Sequence, residues 1–220
     1  MNLSPVKQRA YLASITIFLV LVIDQIIKIA VKTNMYLHET IDVTSWFKIC
    51  FVENEGMAFG MDFIGTAVLT VFRMVAVVFF SYLLVKVIRN KYPLGFIFCF
   101  ALVLAGAAGN IIDNCFYGLI FDQSYPYPVT DPGQMVGFGE GYGSFLSGKV
   151  VDMFYFPLFV WPESFPLVGG SVFFSAIFNF ADAAISCGAV AMFIFYYSYI
   201  TGNKKTVEDT AENPEEKTEN

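Results

Sequence analysis

Four long apolar runs, Tyr11 to Val31, Thr66 to Ile88, Leu94 to Ile112 and Phe173 to Ile200, constrain this chain before anything else does. A helix rises about 1.5 Å per residue, so about 20 apolar residues cross the roughly 30 Å hydrocarbon core of a bilayer. Only 15% of the residues are charged and 56% are hydrophobic, whereas soluble domains carry about 25% charged residues. The expected fold class is an α-helical membrane protein with four transmembrane helices. The first run is too long for a signal-peptide core and lacks a small-residue cleavage pattern before Asp24, so it reads as a retained span.

The segments between the runs differ in character. Over residues 33–65, His38, Asp42, Thr44, Trp46, Lys48, Cys50, Val52 and Asn54 alternate loosely with apolar residues, which predicts a small β-rich extracytoplasmic module. The second and third runs are joined by a few residues and predict an antiparallel hairpin, with Ala105-Gly106-Ala107-Ala108-Gly109 small enough for close helix approach. Residues 118–148 hold seven glycines, three prolines, three tyrosines and three phenylalanines, which predicts a long ordered loop or lid rather than a flexible linker. Residues 201–220 carry six acids against three lysines and read as a disordered, acidic, cytoplasmic tail after a single membrane domain over residues 1–200. Half of the net charge of −6 lies in that tail, and no nucleic-acid partner follows from it.

Basic residues set the expected orientation. Lys7, Arg9, Lys86, Arg89, Lys91, Lys204 and Lys205 flank one side of the four runs, against Lys32, Lys48 and Lys149 in the two long loops. The positive-inside bias then places both termini in the cytoplasm. On that topology Asp24, Lys28, Asn54, Asn110, Asp113, Asp152, Asn179 and Asp182 all fall in the outer half of the membrane or just beyond it.

Ionisable groups at that depth are costly and point to function. Asp182 heads the last apolar run, and Asp152 is boxed in by apolar residues in Val150-Val151-Asp152-Met153-Phe154. Two neighbouring carboxylates in apolar surroundings share a proton and do general acid–base work; either Asp could equally serve as a helix cap. Asp24 and Lys28, at i, i+4, share a helix face where they can pair, and Lys28 could also snorkel from the span's end. Asn110 and Asp113 repeat the pattern at i, i+3, as do Asn179 and Asp182. His38 is the only histidine, and the four cysteines show no C-x-x-C spacing, so neither a metal site nor a cofactor is expected.

The set Asp24…Lys28, Asn54-x-Gly56-x-Ala58-Phe59-Gly60, Gly106-x-x-Gly109-Asn110-x-x-Asp113, Val151-Asp152-x-Phe154 and Phe178-Asn179-x-Ala181-Asp182 resembles lipoprotein signal peptidase, the type II signal peptidase of bacteria. The five motifs fall in the family's order over residues from about 11 to 200. The resemblance implies an intramembrane aspartyl protease of the inner membrane that cleaves diacylglyceryl-modified prolipoproteins before the lipidated cysteine. It makes Asp152 and Asp182 the catalytic pair. It also implies that Asn54, Gly56, Asn110, Asp113 and Asn179 position the peptide or the pair, with Asp24 and Lys28 as buried support. Membrane lipid is the remaining expected partner, and the chain is expected to act as a monomer.

Two departures stand out. The family usually has an arginine straight after the aspartate of its G-N-x-x-D motif, where this chain has Asn114; Arg73 and Lys149 are the candidates to supply that cation. The link from this motif to Asp152 is longer than usual, so most of residues 118–148 reads as an insertion. From another class, a small proton- or ion-coupled transporter also uses intramembrane Asp, Asn and Lys. Such a path needs polar groups continuing to the cytoplasmic side, and few are present in the runs.

Overall fold

The computed structural model describes residues 3–54, 66–128 and 131–201. Four helices, α1 (Pro5–Asn34), α2 (Thr66–Arg89), α3 (Leu94–Ile120) and α4 (Phe180–Ile200), are long and apolar enough to cross a membrane. Among the described residues six short strands accompany them: β1 (Thr40–Asp42), β2 (Lys48–Asn54), β3 (Val150–Tyr155), β4 (Phe159–Val160), β5 (Val172–Phe173) and β6 (Ile177–Phe178).

The described residues fall into two compact units, divided between Val22 and Ile23, Arg73 and Met74, Ala108 and Gly109, and Phe180 and Ala181. The first unit is helical. Ala13 of α1, Leu84 and Ile88 of α2, and Phe96, Ile97, Phe100, Ala101 and Leu104 of α3 form its core, with Met192, Tyr196 and Tyr199 of α4 packed against it. Small residues set how closely α3 and α4 approach: a Cβ on Gly106 would collide with the carbonyl oxygen of Ala181, and one on Gly188 would lie 2.6 Å from that of Cys99. Gly106→Val is therefore expected to destabilise the fold by about 1–3 kcal/mol of overpacking, read as a lower thermal unfolding midpoint in detergent; an unchanged midpoint would mean that α3 and α4 separate at no cost.

The second unit is built on an antiparallel sheet in the order β1-β2-β3-β6. Residues 33–65 supply β1 and β2, and the sheet recruits β3 and β6 from far along the chain. Its inner face carries Phe51, Val151 and Met153, which pack with Val31 and Met35 of α1 and with Tyr117 and Phe121 at the end of α3. A strand points successive residues to opposite faces, so Asp152 lies on the other face, beside Phe154. Gly56, Ala58, Phe59 and Gly60 of the motif that begins at Asn54 lie outside the described residues, as do residues 202–220 of the expected tail.

Three expected boundaries shift. The fourth helix begins at Phe180 rather than Phe173, because Val172–Phe173 pairs with Phe159–Val160 and Ile177–Phe178 pairs with β3; apolar β-branched and aromatic residues suit either state, and pairing decides. The third helix runs to Ile120 instead of Ile112, since its polar residues Asn110, Asp113 and Asn114 all find partners. The first runs from Pro5 to Asn34, with Ser4 Oγ accepting from Lys7 N–H ahead of a first-turn proline.

The segment after α3 folds back onto that helix. A helix leaves its last carbonyls without internal partners. Here Gly143, Gly139, Val136 and Tyr142 N–H donate to the carbonyls of Gly118, Leu119, Ile120 and Phe121 at 2.8, 3.0, 2.9 and 2.9 Å. Most of the expected loop is thus the cap of α3, tied again where Gly148 N–H donates to Asn114 O at 2.9 Å.

Candidate active site

Asp152 sits in the middle of β3, is 4% exposed, and is held at both carboxylate oxygens. Asn179 Nδ2 donates to Oδ1 at 2.6 Å and Asn54 Nδ2 to Oδ2 at 3.2 Å. The sheet register explains the second contact. Asn54 opposes Val150 and Val52 opposes Asp152, so Asn54 and Asp152 are diagonal neighbours on one face. Rings flank this face: Phe154 opposes Phe178, and Phe156 stacks on Phe47 and Phe178 with centroids 4.8 and 5.7 Å apart.

Behind the two asparagines lies a buried charge cluster. Asn179 Nδ2 also donates to Asn110 Oδ1 at 3.1 Å, and Lys28 Nζ donates to the same oxygen at 2.9 Å. That ammonium lies 2.9 Å from Asp24 Oδ2 and 2.7 Å from Asp113 Oδ2, and the three side chains have no solvent exposure. Gln25 bridges the carboxylates, donating to Asp24 Oδ2 at 3.2 Å and Asp113 Oδ1 at 2.9 Å, and accepts from Tyr117 O–H at 3.2 Å. One network therefore joins Asp24, Lys28, Asn110, Asp113, Asn179, Asp152 and Asn54. Lys28 is buried in an ion cluster and does not snorkel.

Asn179 is the residue immediately before α4, and Asp182 is in that helix's first turn, half-buried. An asparagine ahead of a helix and an acid in its first turn both fit the amide-rich N-terminal end. Asp182 belongs to the helical unit and Asp152 to the sheet unit; Gly56 lies outside the described residues.

Position 114 has a cation beside it. Asn114 is fully buried, donates to Gly148 O at 2.8 Å, and accepts from Arg73 Nη1 at 3.0 Å. Of the two candidate cations, Arg73 reaches this side chain; Lys149 Nζ lies 5.9 Å from the centre of the Tyr142 ring.

Several contacting residues carry no motif signal. Gln25 and Tyr117 tie the cluster together, and Lys32, Glu53 and Ser124 form a second one, with Lys32 Nζ 2.5 Å from Glu53 Oε1. Lys32, expected in a long loop, lies in the last turn of α1, four residues after Lys28 and eight after Asp24.

Known proteins resemble this chain over most of its length. It is 45% identical over 208 residues to a lipoprotein signal peptidase of Porphyromonas gingivalis, with 90% of each chain covered. It is 33% identical over 184 residues to one of Amoebophilus asiaticus, covering 77% of this chain and 71% of that one. Its fold is similar to that of a bacterial membrane enzyme solved by the in meso method at 1.9 Å, with a TM-score of 0.56, 22% identity, and 83% of this chain and 90% of that one covered. The model of the signal peptidase (SPase) II family matches residues 16–198. With four membrane-length helices, a small antiparallel sheet and this match, the chain belongs to the signal peptidase II family of membrane proteases.

Proposed function

We propose that this multi-pass inner-membrane protein is an aspartic endopeptidase that removes the signal peptide from prolipoproteins, cutting before the diacylglyceryl-modified cysteine. The observation that carries the aspartic reading is Asp152: a buried carboxylate held at both oxygens by amide donors, in a protease of this family. A carboxylate so fixed keeps its remaining lone pairs aimed in set directions, which is what positioning a water requires. Asp182, in the first turn of α4 and three residues from Asn179, is its proposed partner.

In the reaction, water lies between the two carboxyl groups, which hold one proton between them because two adjacent charges repel. The ionised member removes a proton from the water as its oxygen attacks the scissile carbonyl. The protonated member donates to the carbonyl oxygen, and the proton taken from water passes to the leaving amine as the C–N bond breaks, while one hydroxyl proton of the tetrahedral carbon returns to the other carboxylate and restores the singly protonated pair. Asn54 and Asn179 orient Asp152; Asn110, Asp113, Asp24 and Lys28 hold Asn179 in place; Gly56 belongs with the peptide-positioning set. Arg73, hydrogen-bonded to Asn114, supplies the cation at this end of α3 and binds peptide carbonyls. Substrate enters sideways from the bilayer, with its acyl chains in lipid and the aromatic face around Phe154 and Phe156 at the headgroup level. Both termini are cytoplasmic on this reading, residues 1–200 act as one membrane domain ahead of the acidic tail, and the working form is a monomer.

The test is incubation of the purified chain in detergent with a synthetic diacylglyceryl-modified lipobox peptide and with its unlipidated form, products being read by mass spectrometry. A single cut before the lipidated cysteine, absent from the unlipidated peptide, is expected. Absence of cleavage, or cutting elsewhere, would sink the proposal. The transporter reading is not favoured by the family match.

A further inference from the structure

The proposed reaction makes no use of Lys32, yet the fold buries it completely. It follows Asp24 and Lys28 along one face of α1 at four-residue spacing. Its ammonium lies 2.5 Å from Glu53 Oε1 and donates to Ser124 Oγ at 2.9 Å, while Ser124 donates to Glu53 Oε1 at 2.8 Å. The rings of Phe121 and Tyr142 flank the ammonium, with centroids 5.3 and 5.2 Å away. The Glu53 side chain is 3% exposed. Burying such a pair brings little net stability, because desolvation offsets the attraction. What it fixes is a place: Glu53 can sit only where Lys32 and Ser124 meet it.

That place matters because of where β2 stops. Asn54 is the last residue of the strand and opposes Val150, the first residue of β3, so the described ladder ends at this pair. Strand ends fray unless held, and Asn54 is exposed. Glu53, its neighbour, points to the opposite, buried face, where Val151 and Phe51 lie.

We infer that the Lys32–Glu53–Ser124 cluster is a positioning device for the proposed reaction: it pins the end of β2 so that Asn54 meets Asp152 Oδ2. Asp152 is then aligned from both sides by lysines on one helix face. Lys28 acts through Asn110 and Asn179 on Oδ1; Lys32 acts through Glu53 and Asn54 on Oδ2. The segment after α3 is part of the device, since it supplies Ser124, Phe121 and Tyr142. The inference rests on the aspartic reading above.

The experiment is a double-mutant cycle on the full chain in detergent, with the diacylglyceryl lipobox peptide as substrate. Lys32→Met with Glu53→Gln removes both charges together, so no unpaired ion stays buried. This pair of changes is expected to lower kcat about tenfold with KM within about twofold, and to cause no further loss in an Asn54→Ala background. Ser124→Ala, which leaves the ion pair intact, is expected to lower kcat about threefold, again with no effect once Asn54 is Ala. Wild-type kcat in both variants, or losses that multiply with that of Asn54→Ala, would overturn the inference. A readout independent of activity separates its failure from that of the aspartic reading. The side-chain amide resonance of Asn54 in the ¹⁵N-asparagine-labelled chain is expected to move, in Lys32→Met/Glu53→Gln, toward its position in Asp152→Asn; a stationary resonance overturns the inference whether or not the chain cuts peptide.

Discussion

Asp152→Asn is expected to fold and to cut nothing. The substitution is isosteric, but the amide offers one acceptor oxygen where the carboxylate offered two. Asn54 and Asn179 both present Nδ2 donors to this side chain, so one of them must face an NH₂ group or turn away. That mismatch costs about 1–3 kcal/mol, short of the roughly 5–15 kcal/mol by which domains are stable. Activity suffers far more, because an amide neither takes a proton from water nor returns one, and a positioned acid–base group contributes about 10²- to 10⁴-fold. Asp182→Asn is expected to be as inactive, and the double variant no worse than either single, since groups acting as a unit are not additive. Cleavage rates of the lipidated peptide at matched thermal stability check this. An Asp182→Asn chain that cuts at the wild-type rate would remove Asp182 from the pair and make Asp113 the next candidate.

The reach of the sequence follows from what each residue's local surroundings reveal. Asp24, Lys28, Asn110, Asp113 and Asp152 stand out because a polar side chain in an apolar run demands an explanation, and one cluster joins them. Lys32 did not stand out, because it follows Val31 at the edge of a run where a loop lysine is ordinary. Its partner Glu53 is 21 residues away, and no local pattern couples the two. The end of α3 is hidden in the sequence for a related reason: Asp113 and Asn114 look like a helix exit, and only the fold brings Gln25, Lys28 and Gly148 to satisfy them. The start of α4 was hidden by Val172, Phe173, Ile177 and Phe178, which are as apolar as the helix they precede; only their pairing with β4 and β3 marks them as strands. Asp182 was legible as a head-of-helix acid, and its place in the first turn of α4 fits that.

Lys28→Met is expected to produce the largest loss of stability of any single change in the cluster. One ammonium there faces Asp24, Asp113 and Asn110 at 2.7 to 2.9 Å, and all three charged side chains are fully buried. Removing it leaves two carboxylates facing each other across Gln25 without the ammonium between them, and breaking a buried pair from one side costs about 3–5 kcal/mol. In a chain of this size that lowers the unfolding midpoint by roughly 10 °C. Lys28→Arg is not expected to rescue it, because a planar guanidinium cannot direct donors to three acceptors around a point as an ammonium can. The charge count predicts the opposite for Asp24→Asn. Asp24, Lys28 and Asp113 together place two acids against one base, so neutralising Asp24 leaves Lys28 and Asp113 paired one to one, and the cost falls to that of a weakened hydrogen bond, about 1 kcal/mol. Thermal unfolding of the three variants in one detergent decides the matter. If Asp24→Asn destabilises as much as Lys28→Met, the cluster is held by geometry at each residue rather than by the balance of its charges, and Asn110 would keep its place beside Asn179 without Lys28.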